Sequence, residues 1–232
     1  MCKKTINDIT IFHEKNRNDV INEVFKEDCY NIQDIPIGST IIDIGAHIGT
    51  FTLRCAVERN CTVYAYEPSP INYRFLRKNI EANGLNKVKI FNKAIGKKNE
   101  KRTFYHNTNH PAGSSFFLRD TPDFKDRPLI ESMVETITLR QIFKDNNLTH
   151  CDILKIDCEQ AEKEIFLEDS QPFFQKTKQV ILEWHNYDGH VYSQYLQELG
   201  FTTHLTGCGD PPPPYDVTFA RGILYGKNEK NL

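Results

Sequence analysis

Short continuous apolar runs alternate along the chain with stretches whose apolar positions recur every third or fourth residue. STIIDIG (39–45), CTVYAYE (61–67), KVKIFNKAIG (87–96), CDILKID (151–157) and QVILEWHN (179–186) read as strands buried on both faces. Between them lie helical patterns. One follows Gly49, with Ile48, Phe51, Cys55 and Ala56 on one face, and a second covers 68–84. In the second, Ser69 suits the cap, Pro70 the first turn and Gly84 the end, with a buried stripe of Ile71, Phe75, Leu76 and Ile80. Further helices are predicted over 138–147, 160–169 and 192–200. TTHLTG (202–207) and TFARGILYG (218–226) read as a closing antiparallel pair. The alternation predicts an α/β fold with a mainly parallel seven-stranded sheet, its last strand antiparallel, and helices on both faces.

Two stretches interrupt the rhythm. Residues 97–135 read as an insertion, a hairpin plus a loop that helps cover the site, with His106 and His110 near substrate or simply exposed. Residues 1–36 read as an N-terminal segment with a helix from Asn18 to Glu27 that packs on the domain of 37–232 or covers its pocket.

In open parallel sheets ligands bind beyond the carboxyl ends of the strands. Five predicted strands deliver polar groups there: Asp43 and Gly45, Glu67, Asn92 and Ala94, Asp157 with Glu159, and Glu183 with His185. The first turn, Gly45-Ala46-His47-Ile48-Gly49, lacks the glycine that lets a backbone approach a pyrophosphate, and carries His47 in its place. A nucleoside without phosphates fits better. S-adenosylmethionine is one. Asp43 would accept from its ammonium, directly or through water, the helix start after Gly49 (Thr50, Phe51) would face its carboxylate, and Glu67, beside Pro68, would accept both ribose hydroxyls.

These residues resemble the FkbM family of S-adenosylmethionine-dependent methyltransferases. IIDIGAHIGTFTL is similar to its first motif, where asparagine is usual at His47, and YAYEPSPINYRFLRKNIEANG to its second. DILKIDCEQAEKEIF resembles the late motif, with Gln160 in place of a glycine, and VILEWH the strand after it. The resemblance implies a Rossmann-like class I methyltransferase, typically acting on oxygen, with a hydroxyl of a sugar, glycan or other small metabolite as acceptor. It implies that Asp43, Gly45, Gly49 and Glu67 hold the cofactor, and His47, Thr50, Phe51 and Pro68 beside them are read as cofactor-binding too. Asn92, Ala94 and Ile95 would lie by the adenine, Ser115 (with Ser114) near the site, and Asp157 nearest the transferred methyl.

An alcohol acceptor has to lose a proton, and Asp157, Glu159, Glu183 and His185 are the candidate bases. Lys155 interrupts an apolar strand and needs a partner. It either pairs with Asp157 or Glu159 or orients the acceptor. No metal is expected, although these carboxylates are of the kind that Mg²⁺ or Ca²⁺ prefers.

Composition narrows the rest. Lys+Arg 29 against Asp+Glu 31 gives a net charge of −2, which argues against a nucleic-acid partner. DPPPPYD (210–216) has four prolines and falls between the last two strands, so it reads as a stiff connector rather than a base-methylating motif. Seven cysteines without a C-x-x-C pair read as reduced thiols. No run is long enough for a membrane span and no secretory leader is visible, so a cytoplasmic protein is expected. The oligomeric state stays open. A nicotinamide-dependent oxidoreductase and a non-catalytic nucleoside-binding module are the alternatives.

Overall fold

A computed structural model describes residues 1–15, 18–107, 116, 129–159, 161–185, 188–207 and 221–230. Its centre is a seven-stranded sheet built from β3 (Thr40–Ile44), β4 (Thr62–Tyr66), β5 (Val88–Phe91), β9 (Cys151–Ile156), β10 (Thr177–His185), β11 (Phe201–Gly207) and β12 (Arg221–Asn228). The spatial order is β11-β12-β10-β9-β3-β4-β5. Six strands run in one direction, and β12 inserts antiparallel between β10 and β11, as the closing pair predicts.

Register sets the site. Ile44 pairs with Tyr66 on one side and Ile156 on the other, and Ile156 pairs with Leu182. Gly45, Glu67, Asp157 and Glu183 are the next residues, so they leave the sheet at one level. The strand order reverses at β3, which has β4 on one side and β9 on the other, and that switch point opens a crevice there.

The helices form where the pattern places them. They are α2 (Thr50–Glu58), α3 (Pro70–Ala82), α4 (Leu139–Asp145) and α6 (Gly189–Glu198). Ser69 caps α3 by accepting from the Asn72 amide, and Thr138 caps α4 likewise from Gln141. Two apolar cores result, one on each face of the sheet. Leu154, Leu182 and Phe174 belong to one, and Ile41, Val63 and Leu76 to the other.

Four local expectations are corrected. The predicted third strand stops at Phe91, and Ala94–Ile95 (β6) starts a separate three-stranded sheet. The break comes where the Asn92 side chain turns back to donate to the carbonyls of Glu67 and Pro68. The insertion does contain a hairpin, β7 (Glu100–Asn107) against β8 (Leu129–Ile137). On it His106 is buried and hydrogen-bonded to Ser132 rather than exposed. The predicted helix at 160–169 is replaced by two 3-10 turns, Glu162–Glu164 and Glu168–Ser170, and a short α5 (Gln171–Phe174). Glu162 points inward and its carboxylate accepts from the Cys158 amide, which ties the segment into a turn.

The fourth correction lies at the N-terminus. The expected helix is present as α1 (Asn18–Phe25), but a hairpin precedes it, β1 (Cys2–Ile6) against β2 (Ile9–His13). Asn7 and Asp8 both adopt positive φ, 49° and 64°, as a two-residue hairpin turn requires. Asn79 of α3 stitches the hairpin down. It is fully buried, accepts from the Phe12 amide and donates to the carbonyls of Phe12 and Ile48.

Candidate active site

The crevice holds one cavity whose floor is the strand rim and whose walls come from both interruptions of the fold. Val20, Val24 and Tyr30 stand on one side, and Phe104 and Phe116 of the insertion on the other. Both the N-terminal segment and the insertion therefore line the site.

The first turn is shaped by left-handed residues. Gly45, His47 and Gly49 have φ of 78°, 54° and 92°. At Gly45 a Cβ would sit 1.6 Å from the Asp157 carbonyl oxygen, so only glycine fits where β9 crosses the turn. His47 is tolerated because histidine, like asparagine, visits this region more readily than most residues. Glu159 also takes a positive φ of 52°, immediately before Gln160, which lies outside the described residues.

Glu67 is buried at the end of β4. One carboxylate oxygen accepts from the His47 amide at 2.8 Å and the other from the Ser69 amide at 2.8 Å. Burial pushes its carboxyl up to about 7, against the pull of those two amides and of Asn72.

Asp43 is placed differently from its sequence expectation. It is fully buried behind the turn and does not line the cavity. It accepts from the Thr52 hydroxyl at 2.6 Å and lies 3.2 Å from the Lys155 ammonium. Lys155 also donates to the Gly45 carbonyl at 2.9 Å and reaches Asp157 at 3.4 Å. Its partners are thus Asp43 and Asp157, not Glu159. Burial works against the ammonium, but Asp43 and Asp157 hold its pKa above the ordinary lysine value.

Asp157 and Glu183 line the cavity side by side, joined by a residue the sequence reading missed. The Tyr30 hydroxyl lies 3.0 Å from Glu183 and 3.2 Å from Asp157. Burial alone would raise the Asp157 carboxyl. Lys155, then His185 and the Tyr30 hydrogen bond, instead hold it below the usual carboxylate range.

His185 is buried beside them and does not line the cavity. Its Nδ1 lies 3.1 Å from Glu162, and its Nε2 is 3.9 Å from Glu159. Burial would lower its pKa, but the Glu162 hydrogen bond and the charges of Glu159, Glu162 and Asp157 raise it to about 10. At neutral pH it holds its proton, which is the wrong form for a base. Asp157, Glu183 and His185 bring one ligand-type atom each within 4.8 Å of one another, and the Lys155 ammonium and Tyr30 hydroxyl already share that space.

Of the other expected cofactor residues, Gly45, His47, Thr50, Phe51, Pro68 and Ala94 line the cavity, as does Glu159. Gly49 sits behind it as the cap of α2, packed against Leu76. Asn92 braces the Glu67–Pro68 backbone and does not line the cavity. Ser114, Ser115, His110 and DPPPPYD lie outside the described residues. Glu162, not singled out in the sequence, is the second glutamate of the late motif. Tyr30 carries no sequence signal at all.

The described cysteines are free, and no described helix is long and apolar enough to cross a membrane. The 31-O-demethyl-FK506 methyltransferase FkbM of Streptomyces tacrolimicus is 25% identical over 78% of this chain and 80% of its own. Methyltransferase 1 of Beauveria bassiana is 26% identical over 62% of this chain, which spans only 63% of that relative's length. Among solved structures, TrmK of M. capricolum, determined with S-adenosylhomocysteine, superposes with a TM-score of 0.50 at 12% identity, over 94% of this chain and 70% of that one. Precorrin 8w decarboxylase of Methanobacterium thermoautotrophicum gives 0.50 at 14% identity, over 93% and 92%. These structural likenesses show a shared Rossmann-like class I methyltransferase fold. Residues 43–203, well over half of the chain, match the family described as the Methyltransferase FkbM domain, and the chain belongs to that family.

Proposed function

We propose that this protein transfers a methyl group from S-adenosylmethionine to a hydroxyl oxygen of a sugar, glycan or other small metabolite. One observation carries the reading. Register brings two carboxyls of opposite character, Glu67 and Asp157, to the same cavity on either side of Gly45. Glu67, with its oxygens anchored by backbone amides, suits a pair of ribose hydroxyls. Asp157, kept ionised beside an ammonium, suits the proton of an acceptor. The cavity walls fit the ligand too. His47 stands where a pyrophosphate would need glycine, and Phe104 and Phe116 offer apolar faces to a base.

When bound, the cofactor supplies the methyl: an oxygen–carbon bond forms as the carbon–sulfur bond breaks, and the electron pair stays on sulfur. The protein's part is to place the acceptor in line and to take its proton. Glu67 and the turn 45–49 hold the adenosyl end, and Asp157 and Glu183 face the acceptor end. Lys155 supplies the positive charge that steadies Asp157.

Calorimetry with S-adenosylhomocysteine, NADH and ATP tests this directly. Binding of S-adenosylhomocysteine alone supports the reading, whereas preference for NADH favours an oxidoreductase. Methyl-labelled S-adenosylmethionine offered with a panel of hydroxylated metabolites then reports the acceptor class.

A further inference from the structure

Tyr30 lies outside the family match, in a loop that the fold has gone to some length to fix. Asp28 accepts from the Ile32 amide at 3.0 Å and pairs with Arg54 at 2.7 Å. The Tyr225 hydroxyl donates to the Cys29 carbonyl at 2.6 Å. The Tyr30 ring packs edge-on against Phe51 with centroids 5.4 Å apart, and the residue is only 6% exposed. What this framework holds in place is one hydroxyl between two carboxylates.

A phenol has a single proton to donate. With Glu183 at 3.0 Å and Asp157 at 3.2 Å, it serves both acids at similar length and neither exclusively. Burial, Asp157 and Glu183 all keep the phenol protonated, so it remains a donor. The two acids need one, because like charges this close resist joint ionisation.

We propose that Tyr30 is a positioning residue of the acceptor end, holding Asp157 and Glu183 ionised side by side through one shared hydrogen bond. This rests on the methyl-transfer reading. In the reaction the acceptor hydroxyl gives its proton to Asp157 as its oxygen takes the methyl. The Tyr30 proton stays on Tyr30, and its hydrogen bond shifts wholly to Glu183, which remains ionised. Asp157 thereby loses a donor at the moment it must become more basic.

The test is a carbon-13 titration of the aspartate and glutamate carboxyls in protein given S-adenosylhomocysteine, comparing wild type with Tyr30→Phe. Asp157→Asn identifies the resonance. The groups that face this pair, and must be common to both proteins, are Lys155, Asp43, Glu159, Glu162, His185, His47 and Cys29. Loss of a hydrogen bond to a charged group should raise the Asp157 titration by about one pH unit, roughly ten-fold in its ionisation constant. Glu183→Gln, which leaves Asp157 as the only charged acceptor, should lower it, and adding Tyr30→Phe or Tyr30→Trp to that variant should raise it again, which serves if the single phenylalanine variant does not fold. An Asp157 titration unmoved by either change overturns the inference. Failure to bind S-adenosylhomocysteine would instead count against the cofactor reading, and the same titration in the free protein still decides the role of Tyr30.

Discussion

Replacing Glu67 by glutamine is the sharpest perturbation of the cofactor site. Each oxygen of Glu67 already accepts from a backbone amide, His47 on one side and Ser69 on the other. A side-chain amide has only one oxygen, so whichever way it turns, its NH₂ group meets a backbone donor. One charge-assisted hydrogen bond is lost, together with the negative charge that ribose hydroxyls would face. Bonds to charged groups contribute about 1.5–3 kcal/mol, so S-adenosylhomocysteine should bind roughly 10- to 100-fold more weakly at pH 8. The pH dependence gives a second, independent signature. Burial raises Glu67 to about 7, so the free protein holds a proton there at lower pH, while ribose hydroxyls donate to the ionised form. Wild-type affinity should therefore fall as pH drops from 8 to 6, by up to about ten-fold per unit below the pKa, and the Glu67→Gln variant should be flat. Titration calorimetry at pH 6, 7 and 8 measures both. Equal affinity of the two proteins at pH 8, or a wild-type constant that ignores pH, would refute the reasoning.

Other consequences follow from the acceptor end. Asp157→Asn keeps the volume of the side chain and should leave S-adenosylhomocysteine affinity within a few-fold, while methyl transfer measured with labelled cofactor falls by about 10²- to 10⁴-fold. Near-normal turnover would remove Asp157 from the chemistry. Lys155→Met strands the fully buried Asp43 without its ammonium and should destabilise the fold by about 3–5 kcal/mol, read in urea unfolding. An unchanged midpoint would show that Asp43 is satisfied by Thr52 alone. His185, raised to about 10, contributes stability that is complete below its unfolded pKa and is lost as pH rises through 10. His185→Gln should accordingly lower the melting temperature at pH 6 and flatten its decline between pH 6.5 and 8.5, below the range in which the buried thiols add their own loss, as followed by circular dichroism.

Much of the sheet was legible because it obeys local rules. Thr40–Ile44 and Cys151–Ile156 are continuous apolar runs, and α3 carries its own cap and stop signals. The glycine turn was legible for a stronger reason: a Cβ at Gly45 has nowhere to go. What failed was set by side chains acting across the fold. The periodicity of 160–169 suggests a helix, but a buried Glu162 bonded to Cys158 and His185 dictates a turn. Asn92 ends its strand by reaching back to Glu67 and Pro68, a contact no propensity encodes. The N-terminal hairpin could have been found, since Asn7-Asp8 sits between alternating segments. Tyr30 could not. It becomes part of the site only because the chain around it docks against Phe51 and Tyr225. The role of His185 was equally hidden, since its protonation depends on Glu162, which only folding brings to it.

A crystal structure of the complex with S-adenosylhomocysteine would show directly whether an adenosyl ligand spans the sheet rim from Glu67 to Asp157. Both ribose hydroxyls should lie on the Glu67 carboxylate, with the sulfur turned toward Asp157 and Glu183. Ribose bound away from Glu67, or sulfur facing away from Asp157, would contradict that placement.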